Sequence, residues 1–196
     1  MIKIPTYRVP IFVSSTKLDL YDYRQKAHET LLGLKTEPIG MEYFGAKSCK
    51  PLEYCMSQIA DCKIFICIVA MCYGSIDTES GLSITHLEYM HAQKLGIPTY
   101  VYLFDEDKGA MPSKFVDKNH SAKKLLDFKA ELREKHLYDV FSNPDDLGRK
   151  IAIDLNKPLS RIRMKEMAME LRKRKRKSDI LTLLNDIITS KEVYDE

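Results

Sequence analysis

Residues 63–70 (KIFICIVA) constrain the fold more than any other part of the chain. After the lysine the run is apolar without alternation, so a strand formed there has no face to give to water. A strand covered on both faces belongs inside a parallel sheet, whose neighbouring strands must be joined by crossovers, usually helices. The flanking sequence supplies them. Residues 11–14 (IFVS) read as a buried strand, with Pro10 tolerable only at its first position. A helix over 19–34, a short strand over 37–41 and a helix opened by Pro51 follow. Beyond 63–70 come a helix over 85–95, ended by Gly96, and a strand over 99–104. This alternation predicts an α/β fold, a parallel sheet with helices on both faces. The expected form is flavodoxin-like, about five strands in the order 2-1-3-4-5 with Ile66 and Ile68 buried centrally.

Residues 105–119, with Gly109 and Pro112, read as a long loop and a candidate lid. A charged helix over 121–135, a strand over 138–141 and a helix over 144–155, capped by Asn143, complete the domain. Residues 1–157 are therefore expected to form the α/β domain, and residues 158–196 a C-terminal helical hairpin. Its first helix ends in the basic run Arg172-Lys173-Arg174-Lys175-Arg176-Lys177. Ser178-Asp179 can cap a second helix, whose Ile180, Leu183, Leu184, Ile187 and Ile188 fall on one amphipathic stripe. That stripe points to self-association or to a partner protein docking on the hairpin.

Charge follows the same division. Residues 157–196 hold 11 basic and 7 acidic residues, whereas the preceding 156 hold 20 and 21. Nucleic acid is thus not the expected primary partner of the main domain, and the basic run reads first as a solvated helix end. No apolar run reaches the length of a membrane span, and the N-terminus lacks a secretory signal pattern, so a cytoplasmic location is expected. Cys49, Cys55, Cys62, Cys67 and Cys72 are spaced 6, 7, 5 and 5 apart, which suits neither zinc nor a disulfide framework and suggests buried thiols.

Ligands of open parallel sheets bind beyond the carboxyl ends of the strands. Ser14-Ser15-Thr16 lies there as a hydroxyl-rich turn able to hold an anion at a helix N-terminus, or else Thr16 simply caps that helix. Without glycines it is no Walker loop and no dinucleotide fingerprint. Tyr43, Phe44 and Tyr73 can stack on a base or fill the top of the core. Ser83-Ile84-Thr85-His86-Leu87-Glu88 opens a helix beside the same crevice. Thr85-x-x-Glu88 matches a capping box, which competes with a Glu88 that projects into the crevice. His86 and His91 lack partners at metal spacing and read as exposed or core residues.

Val13-Ser14-Ser15-Thr16, Asp19-Leu20, Arg24, Gly40-Met41-Glu42-Tyr43-Phe44, Pro51-Leu52-Glu53, Asp61-Cys62, Tyr73-Gly74-Ser75, Gly81-Leu82-Ser83-Ile84-Thr85-x-x-Glu88-Tyr89 and Gly96-Ile97-Pro98 occur in one order. Over roughly residues 7–155 this set resembles the domain-of-unknown-function family numbered four-zero-six-two. That family is similar in fold to Toll/interleukin-1 receptor (TIR) domains and nucleoside deoxyribosyltransferases. The resemblance implies a defence or signalling setting, and it places Glu88 where the similar folds use a glutamate on an N-glycosidic bond. It thereby implies a hydrolase or transferase of NAD or a related nucleotide, with Glu88 catalytic. Ser14, Ser15, Thr16, Tyr43, Phe44, Tyr73, Gly74, Ser83 and Thr85 would bind the ligand, and NAD would be substrate with neither cofactor nor metal. The alternative is a non-catalytic module that binds a nucleotide signal or a protein through the same crevice.

Overall fold

A computed structural model describes residues 7–41, 48 and 51–192, except for the side chains of residues 119, 178 and 183–192. Five strands form one sheet in the order β2-β1-β3-β4-β5. They are β1 (Pro10–Ser15), β2 (Glu37–Ile39), β3 (Ile64–Val69), β4 (Thr99–Phe104) and β5 (Tyr138–Phe141). Every pairing is parallel, with Val13 opposite Ile66 and Ile66 opposite Tyr100 in the centre. All six residues of β3 are buried, as its unbroken apolar composition requires. Pro10, which has no N–H to give to a ladder, stands at the first position of β1.

Among the described residues there are five α-helices: α1 (Tyr21–Gly33), α2 (Pro51–Asp61), α3 (Ile84–Lys94), α4 (Asn119–Lys135) and α5 (Pro144–Glu192). On one face Phe65, Cys67 and Val69 of β3 join Ile59 of α2, Tyr89 of α3 and Phe128 of α4 in a single core. Phe12 and Phe65 stack across the strands there, 5.7 Å between centroids. On the other face Tyr102 of β4 donates to Asp154 of α5 at 3.0 Å. There α1 and α5 meet so closely that a Cβ on Gly148 would stand 2.8 Å from Thr30 Oγ1. Asn143 accepts the Asp146 N–H at 2.9 Å, the cap expected of it.

The C-terminal expectation needs correction. No hairpin forms: α5 is one helix of 49 residues that passes through Pro158 and through Ser178-Asp179. Proline inside a helix costs roughly 3 kcal/mol and removes one backbone bond. Leu155 and Leu159 on either side of Pro158 are both buried, and strong helix formers follow as far as Lys177, so the helix survives the loss. The chain separates into two compact units, one of Arg8–Asn156 and one that includes Lys157–Glu196. Leu183, Leu184, Ile187 and Ile188 lie on α5, but their side chains fall outside the described ones. Among the described residues no helix is long and apolar enough to cross a membrane.

The approach of α1 to α5 gives a paired test. Gly148→Leu should lower stability by about 1–3 kcal/mol in urea denaturation, because its side chain collides with Thr30 and Lys26. Gly33→Ala meets nothing within 4 Å and should be neutral or stabilising by up to about 1 kcal/mol. Equal effects of the two changes would contradict the packing.

Candidate functional site

The carboxyl ends of β1 and β3 border a cleft of about 350 Å³. Ser15 of β1 lines it with Thr16, Lys17 and Leu18 of the following loop, Arg24 of α1 and Met41. The exit of β3 contributes Cys72, Gly74 and Ser75, and α3 contributes Ile84, Thr85 and Glu88. This is the strand-end crevice where ligands of open α/β sheets bind.

The capping question is decided by where α3 begins. Ser83 is its N-cap, accepting the His86 N–H at 3.2 Å, so Thr85 already lies in the first turn. Thr85-x-x-Glu88 is therefore not a capping box. Glu88, one turn further along, crosses to β1 and accepts the Ser14 hydroxyl at 2.5 Å. Both residues are buried, at 3% and 1% exposure, so each needs a partner within the protein. Cys55 and Cys67 lie near this carboxylate. Burial first, and then Glu88, pushes the Cys55 thiol up to about 12 and raises Cys67 as well, so neither is a nucleophile at neutral pH. Cys62 and Cys72 are likewise buried free thiols, while Cys49 lies outside the described residues.

The β1–α1 loop is also arranged differently from a helix-capping turn. Ser14 and Ser15 belong to β1 itself, and α1 starts only at Tyr21, behind an N-cap, Leu20, that makes no side-chain bond. Thr16 caps nothing; its hydroxyl donates to Asp19. Asp19, 5% exposed, takes the backbone N–H groups of Met71 and Cys72 with its other oxygen, both at 2.9 Å. One carboxylate thus latches the exit of β1 to the exit of β3. Arg24 donates to the Ser15 carbonyl at 2.8 Å and to the Ser15 hydroxyl, which brings positive charge to the cleft wall. Gly74 has φ +95°, and a Cβ there would stand 2.9 Å from the Thr16 methyl, so only glycine lets the two loops approach.

Asp117 accepts the Tyr73 N–H at 2.6 Å, and its own N–H reaches the Met71 carbonyl at 2.9 Å. The loop read as a lid is therefore sewn to the exit of β3. Sequence reasoning missed the roles of Asp19 and Asp117, because the backbone N–H groups they take lie 52, 53 and 44 residues away and leave no local signal.

Of the sequence-predicted residues, the cleft gathers Ser15, Thr16, Gly74, Thr85 and Glu88, with Ser14 behind Glu88. Ser83 is buried and used as the cap. Tyr73 belongs to the core rather than to the cleft wall, since its hydroxyl is drawn to His86 Nδ1 at 2.9 Å. Tyr43 and Phe44 lie outside the described residues. Among the described residues no three His, Cys, Asp or Glu side chains gather as a metal site.

His86 is more than an isolated core residue. It stacks on Phe128 at 4.1 Å and meets Glu131 at 3.1 Å through Nε2, which joins α3 to α4. Burial holds its imidazole below the ordinary value of 6.5, and Glu131 offsets this only in part. His136, beside the Tyr89 hydroxyl at 3.0 Å, is lowered by burial and then by Lys135. Burial alone would raise Glu131, but Lys135 and His86 hold it below its ordinary 4.5. A histidine depressed on folding contributes stability that is complete above 6.5 and lost as pH falls below it, because the unfolded chain takes the proton first. Glu131 adds a further loss below 4.5 by the same sign. The urea midpoint should therefore fall between pH 7.5 and 5, and His86→Gln with His136→Gln should flatten that step. An undiminished step in the double variant would contradict the assignment.

The family model described as Domain of unknown function (DUF4062) matches residues 10–156. No curated protein matches the chain. A solved structure titled as a probable GTP-binding protein engB is similar at 16% identity and a TM-score of 0.40, covering 83% of this chain and 99% of that one. At that level of overlap it bears on neither fold nor activity. With the matched segment spanning the whole sheet and the cleft, the chain belongs to the DUF4062 family.

Proposed function

We propose that the cleft cleaves the N-glycosidic bond of NAD⁺ or a related nucleotide. The observation that carries this reading is Glu88: a buried, cleft-lining carboxylate held by Ser14 while Ser83 takes over the capping of its helix. In such a reaction the C1′–N bond breaks with its electron pair going to nitrogen, and nicotinamide leaves neutral. Positive charge appears on C1′ and the ring oxygen, where a fixed carboxylate stabilises it better than mobile water does. A water oxygen then bonds to C1′ and its surplus proton is released; a second hydroxyl in place of water gives transfer instead of hydrolysis. Ser15 and Thr16 suit ribose or phosphate oxygens, Arg24 and Lys17 suit the charge of a phosphate, and Leu18, Met41 and Ile84 suit the face of a base. A defence or signalling setting in the cytoplasm accords with the family resemblance.

Incubation with NAD⁺ and chromatography of the products tests this. The wild type should release nicotinamide, and Glu88→Gln, which keeps size and hydrogen bonding, should lower the rate about 10²–10⁴-fold with little change in melting temperature. The burial of Glu88 also suits a module that only binds a nucleotide. Thermal stabilisation by NAD⁺ without turnover would establish that second reading, and neither effect would contradict both.

The far end of α5 suits a protein partner. Ile180 and Leu181 are half exposed, and burying the five-residue stripe from Ile180 to Ile188 is worth on the order of 10 kcal/mol before entropy. Self-association through this stripe predicts that Leu184→Asp with Ile188→Asp lowers the mass in light scattering while residues 8–156 stay folded. An unchanged mass would exclude it.

A further inference from the structure

We infer that the basic segment of α5 inserts into the major groove of a B-form DNA duplex. Residues 172–177 are six consecutive Lys and Arg, all exposed, inside an unbroken helix. At about 100° per residue they point in directions that leave no gap wider than about 100°, so they form a collar and not a face. Five pairs among them are three or four residues apart (172–175, 173–176, 174–177, 172–176 and 173–177), and each such like-charge pair opposes the helix. Among the described residues Glu170, bonded to Arg174 at 3.1 Å, and Asp179, three and four residues beyond Arg176 and Lys175, offset this repulsion only in part. The helix dipole gives no relief, because α5 continues past the run to Glu192.

Such a collar calls for anions on more than one side. A membrane surface meets a helix on one side and requires an apolar stripe on the other, which 172–177 lack. A protein groove offers carboxylates at scattered points, whereas a duplex presents a continuous track of phosphates at close spacing. The major groove of B-DNA, about 12 Å wide, takes a helix about 10–12 Å across and places phosphates along both walls. The deep, narrow major groove of A-form RNA excludes it. The run has no Asn or Gln to read adenine, so base contact is limited to Arg or Lys on guanine and the affinity comes mainly from charge and groove width. Residues 1–156, with 20 basic and 21 acidic residues, contribute no general attraction of their own.

Fluorescence anisotropy of a labelled 20-base-pair DNA titrated with the full chain tests the inference. Binding should appear in the micromolar range at 50 mM salt and weaken about 10²–10³-fold by 200 mM, as release of counterions from four to six phosphates requires. Lys173→Gln, Arg174→Gln, Lys175→Gln and Arg176→Gln together should weaken it at least tenfold at 50 mM salt. Helicity of the variant by circular dichroism should equal that of the parent or exceed it slightly, since glutamine is a good helix former and removes like-charge pairs, so the loss of binding is not a loss of helix. Absence of binding at 50 mM salt, equal binding by the quadruple variant, tighter binding to an RNA duplex, or preferential capture by anionic vesicles would each overturn it. None of these readouts depends on Glu88 or on turnover of NAD⁺.

Discussion

The site depends on one contact between elements far apart in sequence, the Ser14 hydroxyl on the Glu88 carboxylate, 74 residues away. A carboxylate at 3% exposure must find partners, and this one takes the Ser14 hydroxyl across the crevice. That outcome rests on Ser83. By starting α3 two residues before Thr85 it satisfies the helix end and leaves Glu88 in the second turn, pointing at β1. A helix beginning at Thr85 would have drawn the glutamate back onto its own backbone.

Around that contact the two strand exits are held in register by Asp19, which spans Thr16, Met71 and Cys72. Gly74 lets the second loop come within a methyl group's reach of the first. Asp117 then ties the 105–119 loop to the back of the same segment. The cleft is thus walled by backbone whose polar groups are already committed, with Glu88, Thr85, Arg24 and Thr16 along its lining. A preorganised wall of this kind is what charge stabilisation in a reaction requires, because fixed groups need not reorient.

The sheet was legible because β3 and its neighbours bury both faces, and unbroken apolar composition marks such strands without any knowledge of partners. Parallel direction followed from the alternation with helices, and the flavodoxin-like order 2-1-3-4-5 is one of the doubly wound orders that the alternation allows. What sequence left open or misplaced involved choices between local and distant partners. Thr16 and Thr85 both looked like caps, yet one bonds Asp19 and the other sits inside a helix begun by Ser83. Tyr73 looked like a ligand wall, yet His86 and Phe128 draw it into the core. Pro158 and Ser178-Asp179 looked like a break and a cap, yet strong helix formers and the buried Leu155 and Leu159 carry α5 past the proline, and it runs on to Glu192. In each case the local pattern was sound and a distant or cumulative term outweighed it.

The measurement closest to the central claim is a crystal structure of the chain soaked with an unreactive NAD⁺ analogue. The account predicts ribose density in the cleft against Thr16 and Thr85, within hydrogen-bonding distance of a Glu88 still held by Ser14. Density elsewhere, or a Glu88 side chain folded back onto the N-terminus of α3, would contradict it.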